Sequence, residues 1–349
     1  MTMLKLGMTL AMSGPAPKLD IDLVLEAERL GFEQVWCGEA YSTDAVTPIT
    51  WVLARTTKIK AGTGIMQMNA RTPACAAMTT MTLQTLSGGR FLCGIGPSGP
   101  QVIEGWHGQA FGKPLARTKE YIEIIKKIIA REAPLVWESE HYQIPYKGPG
   151  ATGLGRPLRS IIHGQPGTKF YTASITPNGL RSAGEVSDGT IPIWMSPEQA
   201  DLVAKPIMEG QKKAGQGKTL ADFDIAPHVK IRVGTDMAAL RDYVRPELAL
   251  YIGGMGARSK NFYNDYACAM GFEGDAKKIQ DLYLDGKKNE AAAIVPDKLI
   301  DQVALLGTPD RIKDRMQAWK DVARTHKVST LVLTGANREA LRVAAEAVF

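Results

Sequence analysis

Apolar segments of strand period recur eight times along the 349-residue chain, and most are followed at once by a segment of helical period. The strand segments are 4–10, 34–37, 58–63, 90–95, 169–173, 190–194, 224–233 and 328–333. In the first, Leu4, Leu6, Met8 and Leu10 fall on alternate positions, as one face of a strand requires. After a turn-rich stretch at 13–17, helical spacing begins at Ile21, Val24 and Leu25 and stops at Gly31, where a helix C-terminus favours a left-handed residue. Thr72 stands as an N-cap before Pro73, and the helix it opens closes at Ser87-Gly88-Gly89. Helices are expected likewise over 117–129, 177–186 and 338–348, and from Ser196 and Thr308 onward. Such alternation calls for parallel strands joined by right-handed crossovers. Eight units in one chain of this length predict an α/β protein, a closed (β/α)8 TIM barrel built as a single domain over 1–349. Two stretches break the repeat and read as insertions, about 99–114 after the fourth strand and about 245–306 after the seventh. Both fall in loops over the C-terminal ends of the strands, the face on which such barrels carry their chemistry.

Composition narrows the function classes. Hydrophobic residues make up 44% and charged residues 22%, the mix of a chain with a substantial core. No apolar run reaches the roughly 20 residues of a membrane span. Residues 1–10 alternate instead of forming an apolar block, so no signal peptide is expected and the location expected is cytoplasmic. Cys37, Cys75, Cys93 and Cys268 form no C-x-x-C pair, and the five histidines form no H-E-x-x-H, so no metal site is expected. The net charge of +6 is spread out and not interleaved with aromatics. That pattern argues against a nucleic-acid surface and suits, at most, the collection of an anionic small molecule.

Several motifs invite a chemical reading. Gly94-Ile95-Gly96-Pro97-Ser98-Gly99 has the form G-x-G-x-x-G. It opens the fourth unit instead of the first, prolines interrupt it, and no helix is expected before Arg117, so a dinucleotide fold is disfavoured. Gly215-Gln216-Gly217-Lys218-Thr219 lacks the first glycine of a P-loop and reads as a helix-ending turn. No G-x-S-x-G elbow occurs. In Ser174-Ile175-Thr176-Pro177-Asn178-Gly179, Thr176 can cap a helix whose first N–H groups would point at a phosphate, although an ordinary capped helix reads the same way. Glu39 follows the second strand, as a proton donor, a ring contact or a surface residue; His107 beside Trp106 can line the same mouth. His163 and His228 read as loop or packing residues.

Taken together, Gly62-Thr63-Gly64-Ile65, the run Leu86-Ser87-Gly88-Gly89-Arg90 leading into Gly94-Ile95-Gly96-Pro97, and Ala183-Gly184-Glu185-Val186-Ser187-Asp188-Gly189 resemble the bacterial luciferase-like superfamily. Pro114-Leu115-Ala116-Arg117-Thr118 and the segment 249–256 resemble actinobacterial oxidoreductases of its branch that uses the deazaflavin coenzyme F420. The resemblance implies a cis peptide at Gly64–Ile65 that bulges against the coenzyme ring, with Gln67 nearby and Glu39 as an acidic ring contact. It also implies a phosphate loop at Thr176, Pro177, Asn178 and Gly179. The sugar-phosphate dehydrogenase relatives place a histidine after the acid and a glutamate after the fourth strand; here Ala40, and Ser98 with Gly99, stand there. The sugar-phosphate reaction is therefore not expected, and Glu39, Ser98 and His107 are left as catalytic candidates, with Ser98 also near the ring.

The activity implied is hydride transfer between ring carbon C5 and a small organic substrate, the protein supplying orientation, water exclusion and one proton-transfer group. An FMN-dependent monooxygenase on the same barrel is the alternative, and a non-catalytic cofactor-binding barrel a third. A homodimer is implied by resemblance. The second insertion, with Gly253, Gly254 and Gly256 as hinges, is expected to serve as a lid.

Overall fold

A computed structural model describes residues 4–12, 14–165 and 167–349; positions 1–3 of the alternating stretch 1–10 and Ser13 of the predicted turn lie outside them. The first strand, β1 (Lys5–Thr9), pairs in parallel with β2 (Gln34–Cys37). Next come β3 (Lys60–Thr63) and its continuation β4 (Met66–Gln67), then β5 (Phe91–Gly96). A small antiparallel hairpin, β6 (Trp137–Glu138) and β7 (Gln143–Ile144), stands apart from the main sheet. The sheet resumes with β8 (Lys169–Thr172), β9 (Gly189–Thr190), β10 (Asp224–Ile225) and β11 (His228–Val233). Two further strands complete it, β12 (Ala304–Gly307) and β13 (Thr330–Thr334).

The segment formed by β10 and β11 closes the ring. On one side Asp224 and Ile225 pair with β9, and His228 bridges to Ile193; on the other, His228 to Lys230 pair with Val332 to Thr334 of β13. Since β13 pairs with β1, the eight predicted strand positions form a closed parallel barrel without a free edge. Beyond His228 the edge of β11 that the sixth barrel position leaves is taken up by β12, on the side away from β13, a strand that the periodicity did not predict.

The expected helices form, with caps where the sequence puts them. The outer helices begin with α1 (Ile21–Arg29) and α2 (Val46–Arg55). In α3 (Pro73–Ser87) the Thr72 hydroxyl accepts the Cys75 N–H at 3.2 Å and Gly88 ends the helix at φ +64°. The G-x-G-x-x-G stretch does open a helix, contrary to expectation, but it is the six-residue α4 (Pro100–Gly105); α5 (Pro114–Ala130) follows. Next come α6 (Pro177–Val186), α7 (Asp201–Ala214), which ends at Gly215 as expected, and α8 (Met237–Ala249). The predicted insertion boundary at Arg245 falls inside α8, which runs on into a π-turn over Leu250–Gly254. Four helices fill the rest, α9 (Phe262–Ala269), α10 (Glu273–Leu284), α11 (Lys288–Ala293) and α12 (Asp297–Val303). The chain closes with α13 (Pro309–Arg324) and α14 (Arg338–Val348). The insertion has an apolar core of its own, including Leu248, Ile252, Tyr266 and Ile279, which meets the barrel through Trp194 and Ile175. Its glycines are packing positions: a Cβ on Gly253 or Gly254 would come 2.4 Å from Tyr283 of α10. They seat the π-turn on α10, and hinges are not what their surroundings require.

Inside the ring, alternate residues of each strand point inward. Along the seventh position Asp224, Ala226, His228 and Lys230 climb one face from floor to mouth. On the floor the Asp224 carboxylate accepts from Gln34 Nε2 (2.7 Å), the Tyr171 hydroxyl (2.8 Å) and the Thr330 hydroxyl (3.1 Å). Burial first, and this carboxylate second, push the Tyr171 hydroxyl well above its ordinary range. Above the floor lies Trp36, fully buried, its indole N–H on Gln34 Oε1 (2.9 Å) and its ring edge-on to Tyr171. Gly62 makes the room, since a Cβ there would sit 2.6 Å from the indole. Asp224→Asn turns one acceptor into a donor among converging donors and should cost about 1–3 kcal/mol. The urea unfolding midpoint checks this, and an unchanged midpoint would refute the reading of the floor.

Candidate active site

The third barrel strand carries one residue more than its neighbour between the pairs Gly62–Leu92 and Met66–Ile95, which makes a bulge. The bulge holds the cis peptide Gly64–Ile65, as implied. Its neighbours are glycines because no side chain fits. A Cβ on Gly94 would stand 1.8 Å from the Thr63 carbonyl oxygen, and one on Gly38 2.9 Å from that of Gly64. A Cβ on Gly96 would lie 3.1 Å from the Ile65 side chain. The G-x-G at 94–96 is thus the wall that admits the bulge.

Behind the bulge sits Glu39, its side chain only 7% exposed. Its carboxylate accepts from the backbone N–H of Gln67 (2.8 Å) and Ala45 (2.9 Å) and from both terminal nitrogens of Arg71 (2.5 and 3.1 Å). Gln67 is buried too, its amide donating to the carbonyls of Glu39 and Ala40, while its Oε1 has no partner. This arrangement makes Glu39 a brace, with its acceptor positions taken by four donors. Ser98 is half-buried in the loop after β5 with φ +57°. His107 lies past the end of α4; its backbone N–H is on Val102 and its buried Nε2 has no partner. At α6 the Thr176 hydroxyl accepts the Gly179 N–H (3.2 Å), and Asn178 accepts from Arg181 (2.7 Å). Pro177 has no N–H, so the Asn178 N–H is the first donor of that terminus, beside the Ser174 and Thr176 hydroxyls, which bond each other at 3.4 Å.

Opposite these elements, over strands β11 and β13 and under α8, lies a cavity of about 310 Å3. Trp194, His228, Lys230, Glu247, Tyr251 and Thr334 are among its walls, and none of the expected site residues is. Trp194 adopts φ +54° and packs against Tyr251 (5.3 Å between ring centres) and Tyr263 (5.6 Å). Lys230 forms an ion pair with Glu247 and lies 5.0 Å over the Tyr243 ring. His228 keeps its Nε2 buried and without a partner, and burial pushes the imidazole down to about 4. The sequence reading set His228 aside as a loop or packing residue; the two-residue period from Asp224 puts it on the inward face of its strand.

Two outcomes follow from this geometry. Arg71→Ala leaves a buried carboxylate without its cation and should cost about 3 kcal/mol in denaturant unfolding; a loss under about 0.5 kcal/mol would show that the brace is not structural. His228 refuses a proton until about pH 4, whereas the unfolded chain takes one near 6.5. The unfolded state then binds more protons in that window, so stability drops as pH falls from about 6.5 to 4. Lys230, Tyr243, Glu247 and Tyr251 are the other titratable groups of the cavity. Denaturation curves taken across this window should be flatter for His228→Phe than for the wild type.

Comparison with known proteins gives a consistent family. The model of the luciferase-like monooxygenase family matches residues 4–326. A Mycobacterium tuberculosis protein named as a coenzyme F420-dependent oxidoreductase is 38% identical over 341 residues, covering 97% of both chains. The coenzyme F420-dependent tetrahydromethanopterin reductase of Methanopyrus kandleri shares the fold, with a TM-score of 0.77 and 21% identity over 99% of this chain and 98% of the other. So does the oxygenating component of 3,6-diketocamphane monooxygenase from Pseudomonas putida in complex with FMN, with a TM-score of 0.67 and 17% identity over 99% and 98%. The chain belongs to the luciferase-like monooxygenase family.

Proposed function

We propose that the protein is an oxidoreductase that binds coenzyme F420 across the barrel mouth and exchanges hydride between it and a small organic substrate in the cavity under α8. The observation that carries this is the bulge at the end of the third barrel strand, held from behind by Glu39 and Arg71 and left bare by the glycines beside it. The bulge offers a flat backbone face, and the partnerless Gln67 Oε1 beside it suits a ring N–H. The phosphate belongs at the first turn of α6, with Thr176, Asn178 and Gly179. When bound, the deazaflavin supplies a ring carbon, C5, that accepts or gives a hydride. The chain's own share is position and dryness. Glu39 and Arg71 fix the bulge, Trp36 fills the barrel beneath the mouth, and the insertion roofs the cavity. On the same reading the protein works in the cytoplasm, without nucleic-acid or membrane partners. Exposed Trp51, Met78 and Leu86 on the neighbouring outer helices α2 and α3 support a homodimer.

An FMN enzyme would use the same bulge, so binding decides between the two. Purified protein should quench the fluorescence of F420 and bind FMN at least about tenfold more weakly. Tight FMN binding without deazaflavin binding would sink the proposal. Bound deazaflavin whose visible absorption never changes with any alcohol, aldehyde or enone would leave a carrier in place of an enzyme.

A further inference from the structure

We propose that the cavity under α8 takes an uncharged molecule bearing a hydroxyl or carbonyl oxygen, and that His228 Nε2 binds that oxygen and exchanges its proton. Four observations meet here. His228 lies on the inward face of its strand, two residues above Ala226, which packs with Trp36 and Val332 in the barrel interior. Its Nε2 is buried, lines no hydrogen bond, and belongs to a residue on the cavity wall. A buried polar atom without a partner carries a desolvation penalty that a ligand oxygen can remove. The wall has no uncompensated charge, since Lys230 is paired with Glu247 and leans on the Tyr243 ring. A phosphate or carboxylate would have to break that pair to find a cation. Trp194 and Tyr251 offer apolar faces for the rest of the molecule, and about 310 Å3 lies at the small end of ligand sites, about 300–1,000 Å3.

The proton step rests on the deazaflavin reading above; the binding step does not. In the oxidising direction the substrate O–H bond breaks and its proton passes to the Nε2 lone pair of the Nδ1–H tautomer. The hydrogen on the adjacent carbon would leave with its electron pair to the deazaflavin, the two-electron acceptor when bound, and the carbon–oxygen bond would become double. The substrate loses two electrons, which the deazaflavin gains, and the imidazolium gives its proton to water. The reverse course reduces a carbonyl. Desolvation keeps the imidazole neutral near pH 7, which leaves that lone pair available.

The first test needs no coenzyme. Protein labelled with 15N-histidine is titrated with cyclohexanol, cyclohexanone and cyclohexanecarboxylate; the chain has five histidines, and the His228 signal is the one missing from His228→Phe. The expected result is a shift of that signal with the two neutral probes and none with the carboxylate. Glu247→Gln, which frees Lys230, should tighten carboxylate binding about tenfold. With deazaflavin present, cyclohexanol oxidation should fall about 100-fold in His228→Gln and His228→Phe, and the acid limb of the kcat profile should vanish. Deazaflavin affinity, read by quenching, should stay within about twofold, because His228 lies off the ring's seat. Neutral probes that leave the His228 signal in place, or a carboxylate that alone moves it, overturn the pocket. Cyclohexanol that binds at His228 but is never oxidised, or oxidation unchanged in His228→Phe, overturns the proton step. A wild-type protein that binds no deazaflavin overturns the function proposed above and leaves the labelled titration to decide this one.

Discussion

The Thr63 carbonyl stands where a side chain at position 94 would have to be, and the arrangement of the mouth follows from that close approach. An extra residue in the third strand pushes backbone into the barrel, so the strands on both sides must give up side chains, at Gly38 on one and at Gly94 and Gly96 on the other. The pushed segment then needs support from behind, because its N–H groups no longer meet a regular ladder. Glu39 supplies it, accepting the Gln67 N–H, and Arg71 holds Glu39 in turn. Glycines, carboxylate and guanidinium come from three different βα units, yet they answer one steric demand.

That origin explains what the sequence discloses and what it hides. Leu4, Leu6 and Met8, the Thr72–Pro73 cap and Gly88 are local signals, and local signals made the barrel and most of its helices legible. The bulge was legible only through resemblance, since its glycines imitate a phosphate loop when read along one strand. Glu39 was found, but its role was not, because Arg71 lies 32 residues on and only the fold brings them together. β12 escaped for a different reason. Ala304 to Gly307 is too short and uniformly apolar to show a period, and it forms a strand because the edge of β11 away from β13 is left open beyond the Ile193–His228 bridge. The cavity wall is the most hidden part, assembled from the ends of three barrel positions, the start of β12 and the helix α8 with the turn that follows it.

The two halves of the mouth are built from different materials. On the side of strands β2 to β5 the surface is backbone, made from glycines, a bulge and a helix terminus. A backbone surface presents the same shape whatever the substrate, which suits a coenzyme common to many reactions. On the side of β11 and β13 the surface is side chain, made from Trp194, His228, Lys230 and Tyr251 under a separately cored insertion. Substitutions there alter shape and charge without touching the strand ladder.

Charge cancellation at the mouth leaves an anion without a ready partner there. The chain carries a net charge of +6, but at the mouth Arg71 is answered by Glu39 and Lys230 by Glu247. An excess of positive charge elsewhere on the surface steers an approaching anion without giving it a partner once inside. What remains unanswered in the cavity is an imidazole nitrogen, which asks for an oxygen and not for a charge. Ala40 offers no titratable side chain beside Glu39, and the imidazole on the cavity wall is that of His228. Glu39 serves the backbone, accepting the Gln67 N–H, and the apolar faces of Trp194 and Tyr251 stand together on the cavity wall instead of at the bulge.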